Sequence, residues 1–182
     1  MITLDSLIVH AVLKNDSIVA VASAADLEVL QAVSTALEKE LASFILFDDE
    51  KKLKDMIRNH FPQLSDNTKV SIFHAMDSGH AATLAVKAVS NRRATVLMKG
   101  NLATSAILKA VLNSEYGLRT GKVLSHVAVF EVPGFDRLLF VTDAAMNIEP
   151  DLEAKAQIIR NSVATANACG VQGTYCSYVE GR

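Results

Sequence analysis

Three short segments of the sequence place cationic, hydroxyl and carboxylate side chains where they could bind an anion. The first is residues 98–105, where Lys99, Gly100, Asn101 and Thr104 stand between an apolar run and an amphipathic stretch. The free N–H groups at the start of a helix favour phosphate, and a neighbouring lysine adds positive charge. The segment is therefore either a phosphate-binding loop, in which the glycine lets the backbone approach the anion, or an ordinary turn with Thr104 as the helix cap.

The second segment, residues 116–126, gathers two cations, the two aliphatic hydroxyl groups of Thr120 and Ser125, and an imidazole. Arg119 can hold a phosphate through two parallel hydrogen bonds, and Thr120 follows it directly. Ser125 and His126 are adjacent, so in a strand they would point to opposite faces and could not serve each other as nucleophile and base. The segment is either a phosphate-binding element or a solvated basic turn, and a hydrolase dyad is disfavoured.

The third segment, residues 142–147, ends an apolar strand in polar residues among small ones. Asp143 either meets a ligand at the strand end or caps the following segment. His74 and Asp77 flank another strand end, but a lone histidine on an apolar strand is more often a core residue than a base. The five histidines have no metal-ligand spacing, so the sequence predicts no metal site.

These segments stand among elements that alternate short apolar runs with amphipathic stretches, a pattern typical of a parallel sheet covered by helices. After Gly117 the pattern changes to two strands joined by a tight corner at 133–136, followed by a helix with Pro150 in its first turn and Gly170 at its end. The predicted strands are 17–22, 43–47, 70–75, 95–98, 123–132 and 137–141, and the predicted helices are 26–41, 48–61, 80–90, 104–113 and 151–167.

The change in pattern predicts two domains, a first α/β domain of parallel βα units over residues 1–116 and a second over residues 117–182. Two strands and one helix are too few to cover their own apolar faces. Either this second segment packs onto the first, or a partner covers it, or the chain is cut short and the second domain is incomplete. If the chain ends at Arg182, we expect low stability of the chain alone or dependence on a partner.

Composition excludes several classes of protein. With 18 Lys+Arg against 20 Asp+Glu, no global field would attract nucleic acid or an anionic membrane. The apolar run at residues 7–13 is too short for a membrane span and lacks the basic flank of a signal peptide, so the cytoplasm is the expected location. Cys169 and Cys176 match no zinc or redox spacing and are predicted to be reduced thiols.

Taken in order, residues 96–105, 117–127 and 140–147 resemble the successive signature blocks of phosphate butyryltransferases and related phosphotransacylases. The resemblance extends through the first βα units and on to Gly170. It implies a three-layer α/β/α fold similar to that of isocitrate and isopropylmalate dehydrogenases, with two domains and an active site in the cleft between them. It also implies a homo-oligomer, a dimer or larger.

The reaction that the resemblance implies is the reversible transfer of a short acyl group between coenzyme A and inorganic phosphate, giving an acyl phosphate. Acyl-CoA and phosphate are then substrates, and no metal or redox cofactor is implied. The coenzyme A thiol would attack the acyl phosphate carbonyl, assisted by a carboxylate base and by cationic and hydroxyl groups around the phosphate. The candidate substrate- or phosphate-binding residues are Lys99, Asn101, Thr104, Arg119, Thr120, Ser125 and Asp143.

The sequence departs from the family in two places. Residues 90–95 are more basic than the family pattern, and residues 171–182 are unlike it. Family chains continue with further elements and close on a Ser-Arg and acidic segment that carries catalytic groups, so the catalytic residues are unknown here and the chain is expected to lack a carboxyl-terminal part. The alternative is a truncated, non-catalytic remnant that binds acyl-CoA, phosphate or a partner chain. A dehydrogenase is disfavoured, because no Gly-x-Gly-x-x-Gly element follows the first strand.

Overall fold

A computed structural model describes residues 2–14, 16–144 and 146–173 of the chain. These residues form two compact units. Among the described residues, we call those from 11 to 120 the four-stranded unit, and those from 2 to 10 and from 121 to 173 the hairpin unit. The elements in chain order are α1 (Leu4–Lys14), β1 (Ile18–Ala22), α2 (Leu27–Glu38), β2 (Ser43–Asp48), α3 (Glu50–His60), a 3-10 turn (Pro62–Leu64), β3 (Val70–His74), α4 (Ser78–Ser90), β4 (Val96–Lys99), α5 (Thr104–Val111), β5 (Val127–Glu131), β6 (Leu138–Thr142) and α6 (Leu152–Ala168).

The four-stranded unit is built on a parallel sheet, as the sequence predicts. Its strands lie in the order β3-β2-β1-β4, so β1 pairs on one side with β2 and on the other with β4. Val21 of β1 is in register with Leu46 of β2 and with Met98 of β4. All three strand pairs are parallel, so the carboxyl ends of the four strands lie at one edge of the sheet.

Helices cover both faces of this sheet because successive side chains of a strand point to opposite sides. In β1, Ala20 and Ala22 pack with α4 and α5, whereas Val21 packs with α2 and α3. In β2, Ile45 and Leu46 divide between the same two clusters. The predicted α/β layering is therefore confirmed in this unit.

Aspartates begin three of the helices at the carboxyl edge of the sheet. The Oδ1 atom of Asp26 accepts hydrogen bonds from the N–H groups of Glu28 and Val29 at the start of α2. Asp49 and Asp77 cap α3 and α4 in the same way. These carboxylates satisfy N–H groups that a helix start otherwise leaves without partners.

Helix α2 differs from its predicted span of 26–41. It ends at Glu38, and Glu40 then adopts a positive φ of 55° that turns the chain toward β2. Leu27 directly follows the cap at the helix start and is 48% exposed. Helix α3 ends at His60, just before Pro62, which begins a 3-10 turn.

The hairpin unit contains one antiparallel pair, with Val129 of β5 in register with Phe140 of β6. This pairing and the corner between the strands confirm the sequence prediction, and Gly134 turns the corner with a φ of 87°. Helix α6 begins after the cap Asp151, so Pro150 precedes the helix and does not lie in its first turn. Gly170 follows α6 with a φ of 81°, as expected for a residue that ends a helix.

The first ten residues group with the hairpin unit, whereas the sequence placed them in a first domain over 1–116. The Leu4 N–H donates to Oε2 of Glu131 at 2.9 Å, and Ile2 lies beside Gly170. The boundary between the units falls after Thr120. No helix was predicted for residues 4–14, where α1 forms. Cys176 and most of the atypical tail lie outside the described residues.

Candidate functional site

The loop after β4 is fixed by close contact with the end of β1. The N–H groups of Gly100 and Asn101 donate to the carbonyl oxygens of Ala22 and Ser23 at 2.8 and 2.9 Å. A Cβ atom added at Gly100 would lie 2.1 Å from the carbonyl oxygen of Ser23. The glycine is therefore required here by backbone packing within the sheet, whatever the loop binds.

Lys99 bends over this loop. Its ammonium nitrogen donates to the carbonyl oxygens of Leu102 at 2.7 Å and Gly100 at 3.3 Å. An ammonium group has three hydrogens, so one remains for a ligand when two are used in this way. The positive charge is thereby held at the carboxyl edge of the sheet.

Helix α5 begins without a side-chain cap. Its cap residue is Ala103, so the prediction that Thr104 caps the helix is wrong, and Thr104 is the exposed first residue of the helix. Helices α2, α3 and α4 are each capped at their start by an aspartate side chain. Within the described residues, the start of α5 therefore differs from these three, because no side chain caps its first N–H groups.

Asn101 contacts the cap of α2. Its side-chain nitrogen donates to Oδ2 of Asp26 at 3.1 Å, on the carboxylate oxygen that the α2 N–H groups do not use. Asn101 therefore links the loop after β4 to the loop after β1.

Arg119 and Thr120 lie exposed at the end of the four-stranded unit, outside helices and strands. Neither side chain has a hydrogen bond or ion pair within residues 2–14, 16–144 and 146–173. The Arg119 guanidinium therefore keeps all of its donors available.

In the hairpin unit, Asp143 joins the segment before β5 to the segment after β6. Its Oδ1 accepts from the His126 N–H at 2.9 Å, and its Oδ2 accepts from the backbone and side-chain nitrogens of Asn147. Partial burial acts to raise the pKa of Asp143, but the hydrogen bonds from His126 and Asn147 outweigh it and the pKa is lowered. The carboxylate is thus held ionised and is a weak base.

Ser125 is held by helix α6. The Asn161 side-chain nitrogen donates to Oγ of Ser125 at 2.9 Å and to the carbonyl oxygen of Val123 at 3.0 Å. Gln157, one helical turn earlier, accepts from the Val123 N–H at 2.9 Å. The side chains of Gln157 and Asn161 thus bond both backbone groups of Val123. Strand β5 begins at Val127, so the prediction of a strand from Val123 is wrong.

His74 and Asp77 have structural roles. His74 is exposed, and its Nδ1 accepts from the Glu50 N–H at 3.3 Å, so the interpretation of His74 as a core histidine is wrong. Asp77 caps α4 by accepting from the His80 N–H at 2.7 Å.

The candidate residues thus form separate groups within their own units. Lys99, Asn101 and Thr104 lie between the end of β4 and the start of α5. Ser125 lies before β5, where Asp143 bonds the neighbouring residue His126. Sequence reasoning did not name Asn147 or Asn161 as candidates. Asn147 stands in the block 140–147 and could have been found there, but Asn161 lies in the middle of a helix and carries no local signal.

The described residues contain neither a cluster of metal ligands nor a membrane-spanning helix. No group of three or more His, Cys, Asp or Glu side chains is placed to hold a metal ion among residues 2–14, 16–144 and 146–173. Within the same ranges, every helix is too short or too polar to cross a membrane.

Known proteins match the chain in sequence and in structure. A family model described as "Phosphate acetyl/butaryl transferase" matches residues 67–180. A "Probable phosphate butyryltransferase" of Bacillus subtilis (strain 168) is 48% identical over 167 residues, which are 92% of this chain and 54% of the relative. A "Phosphate acetyltransferase" of Thermotoga maritima is 35% identical over 84% of this chain and 51% of the relative.

The crystal structure of a branched-chain phosphotransacylase from Enterococcus faecalis V583 matches with a TM-score of 0.68 and 30% identity. The match covers 85% of this chain and 52% of that one. The chain therefore spans about half the length of the relatives and of the solved structure that it matches.

Proposed function

The chain belongs to the phosphate acetyl/butyryl transferase family, and from this membership we propose that it acts as a phosphate acyltransferase, moving a short acyl group between coenzyme A and inorganic phosphate. One observation carries the proposal: the family match over residues 67–180 contains all seven candidate binding residues. The names of the relatives from Bacillus subtilis and Thermotoga maritima support it as well. The alternative of a non-catalytic remnant gains no support from them.

In the proposed reaction, an oxygen of phosphate attacks the thioester carbonyl carbon of acyl-CoA. The new C–O bond gives an acyl phosphate, the C–S bond breaks, and the coenzyme A sulfur leaves with the electron pair and takes up a proton. In the reverse direction the thiol attacks the acyl phosphate and phosphate leaves. Because charge develops on the carbonyl oxygen and on the leaving group, donors fixed in place lower the barrier.

Three residues offer donors to the phosphate in this proposal. The Arg119 guanidinium has no partner within the described residues and suits two parallel hydrogen bonds to phosphate. Lys99 holds its charge over the loop after β4, and Thr104 stands at the uncapped start of α5. Asn101 and Thr120 are proposed to line the substrate site beside them.

Asp143 is proposed to hold the loop before β5 and not to take up a proton. Both of its oxygens already accept hydrogen bonds, and its pKa is lowered despite the burial that acts to raise it. A general base works best when its pKa lies near the working pH, whereas the pKa of Asp143 is shifted down, away from neutral pH. We therefore assign no general base among the described residues.

The test is release of coenzyme A thiol from butyryl-CoA in the presence and absence of phosphate, with the Bacillus subtilis relative as positive control. We expect phosphate-dependent release, reduced about tenfold or more by Arg119→Ala, since a hydrogen bond to a charged group contributes about 1.5–3 kcal/mol. Arg58→Ala is the matched control, because Arg58 forms an exposed ion pair with Asp55 on α3. No phosphate-dependent release under conditions where the relative works would overturn the proposal for this chain.

Three further features belong to the same proposal. The reaction as written uses acyl-CoA and phosphate as substrates and calls for no metal or redox cofactor. A homo-oligomer, a dimer or larger, and a cytoplasmic location stay predictions. Light scattering coupled to size-exclusion chromatography measures the first of these directly.

A further inference from the structure

The contacts of Asn161 fix which atoms donate and which accept around Ser125. One atom of the Asn161 amide lies 3.0 Å from the Val123 carbonyl oxygen and 2.9 Å from Oγ of Ser125. A carbonyl oxygen can only accept, so the atom that faces it is the amide nitrogen, whose two hydrogens serve the two contacts. Oγ of Ser125 is therefore an acceptor from Asn161.

The hydroxyl hydrogen of Ser125 is consequently free for another partner. It has no acceptor among residues 2–14, 16–144 and 146–173, and Ser125 is half-buried and so within reach of a ligand. We propose that Asn161 is a positioning residue that fixes Ser125 as a donor of its hydroxyl hydrogen to a phosphoryl oxygen of the substrate. This inference rests on the proposed function, which supplies the phosphate.

A phosphoryl oxygen suits this arrangement because it is charged and only accepts. Hydrogen bonds to charged acceptors are shorter and stronger than those between neutral groups. A hydroxyl whose lone pair already accepts from an amide is polarised toward donation, since hydrogen bonds in a chain strengthen one another. The amide thus directs the hydroxyl without touching the substrate.

The chain offers a matched control for a merely structural role. Gln157, on the same face of α6, binds the same backbone segment through the Val123 N–H at 2.9 Å but does not contact Ser125. Gln157→Met removes that bond with little change of side-chain length. Asn161→Leu removes both Asn161 bonds in a neutral, nearly isosteric change, and it leaves the Val123 carbonyl as a competing acceptor for the Ser125 hydrogen.

The experiment is titration of the 182-residue chain with inorganic phosphate by calorimetry, with the melting temperature recorded for each variant. Asn161→Leu and Ser125→Ala should each weaken phosphate binding about tenfold, the loss of one hydrogen bond to a charged acceptor. Gln157→Met should change the affinity by less than about twofold. In the Ser125→Ala background, Asn161→Leu should cause no further loss, because the hydroxyl it directs is gone. If Asn161→Leu does not fold, Asn161→Ala takes its place.

Each other result overturns the inference. Equal losses from Asn161→Leu with and without Ser125, or equal losses from Gln157→Met and Asn161→Leu, would mean that Asn161 only holds the backbone. Absence of phosphate binding by the unsubstituted chain would also overturn it. Thiol release tests the proposed function separately. If the chain transfers the acyl group but Asn161→Leu and Ser125→Ala leave the phosphate affinity unchanged, only the inference is overturned. If both variants weaken phosphate binding but the chain releases no thiol, only the proposed function is overturned.

Discussion

The two units of the chain hold their backbones in different ways. In the four-stranded unit, the clusters on both sheet faces exclude water, with Leu46 at 0% exposure in one cluster and Ala22 and Ala85 at 0% in the other. In the described part of the hairpin unit, the buried apolar side chains are Leu138, Ile158 and Ala166. Phe130 and Leu139 on its two strands stay 48% and 47% exposed.

The difference shows that burial fixes one unit and directed hydrogen bonds fix much of the other. Asp143, Asn147 and Asn161 bond the backbone of His126, Leu124 and Val123, respectively. Burial is non-directional, whereas a hydrogen bond sets the position of one atom against another. Substitutions in the four-stranded unit should therefore change mainly stability, and those in the hairpin unit mainly local geometry.

The largest expected effect is from Leu46→Ala in the centre of the parallel sheet. The side chain is fully buried, so its removal should lower the free energy of unfolding by about 2–5 kcal/mol. Leu139→Ala on β6 removes a half-exposed leucine and should cost about 1 kcal/mol or less. Urea denaturation measures both, and equal costs would contradict the comparison.

Gly100→Ala should cause the next largest loss in the free energy of unfolding. The new Cβ would meet the Ser23 carbonyl oxygen at 2.1 Å, so the loop after β4 must move and unfolding should become easier by about 1–3 kcal/mol. Gly79→Ala is the control, because its nearest contact is a side-chain oxygen of Asp77 at 3.3 Å. Thermal unfolding in which both variants lose the same stability would argue against the close contact.

Asp26→Ala should lower the free energy of unfolding by about 1 kcal/mol, the usual contribution of a helix cap. It removes the acceptor for two N–H groups of α2 and also the partner of the Asn101 side chain. Asn101→Ala removes only the second of these contacts and should cost less. If chemical denaturation showed Asn101→Ala to be less stable than Asp26→Ala, capping of α2 would not be the main contribution of Asp26 to stability.

The smallest effect is expected in the hairpin unit, from Asp143→Asn as a function of pH. Partial burial raises the pKa of Asp143 while hydrogen bonds from His126 and Asn147 lower it, with a net shift below the ordinary value of 3.8. A lowered folded pKa gives stability that is present above the unfolded value and is lost as pH falls through the folded value. At neutral pH, the free energy of unfolding of the native chain should exceed that of the variant by under about 1 kcal/mol. Denaturation at several pH values should show this margin shrinking in acid, and a margin independent of pH would contradict the prediction.

Much of the four-stranded unit could be predicted because strands buried on both faces read as continuous apolar runs. Val19, Ala20 and Val21 show this directly, since neighbours in the chain enter opposite cores. Helix α1 could not be predicted in this way, because Val9 and Leu13 are 58% and 78% exposed and mark no buried face. The start of β5 was predicted too early, because residues 123–126 are apolar enough for a strand yet bond to side chains instead.

For the candidate site, the sequence could identify residue types but not their partners. Lys99 and Ser125 stood out as charge and hydroxyl within short blocks. That Lys99 donates to the carbonyl of Leu102, and that Ser125 receives a hydrogen from a residue 36 positions later, depends on folding. A contact between distant positions leaves no trace in the local spacing of a single sequence.

The order of strands in the parallel sheet bears on how the chain folds as it is made. Strand β1 takes β2 as one neighbour soon after both are synthesised, but its other neighbour, β4, follows Thr95, a residue 77 positions after Ile18 whose hydroxyl accepts from the Ile18 N–H. Pairing over such a separation is slow because the intervening chain must first be ordered. During synthesis, the backbone groups on one side of β1 therefore stay unpaired until β4 is made. At this edge, a nascent chain could pair with a wrong strand or bind a chaperone.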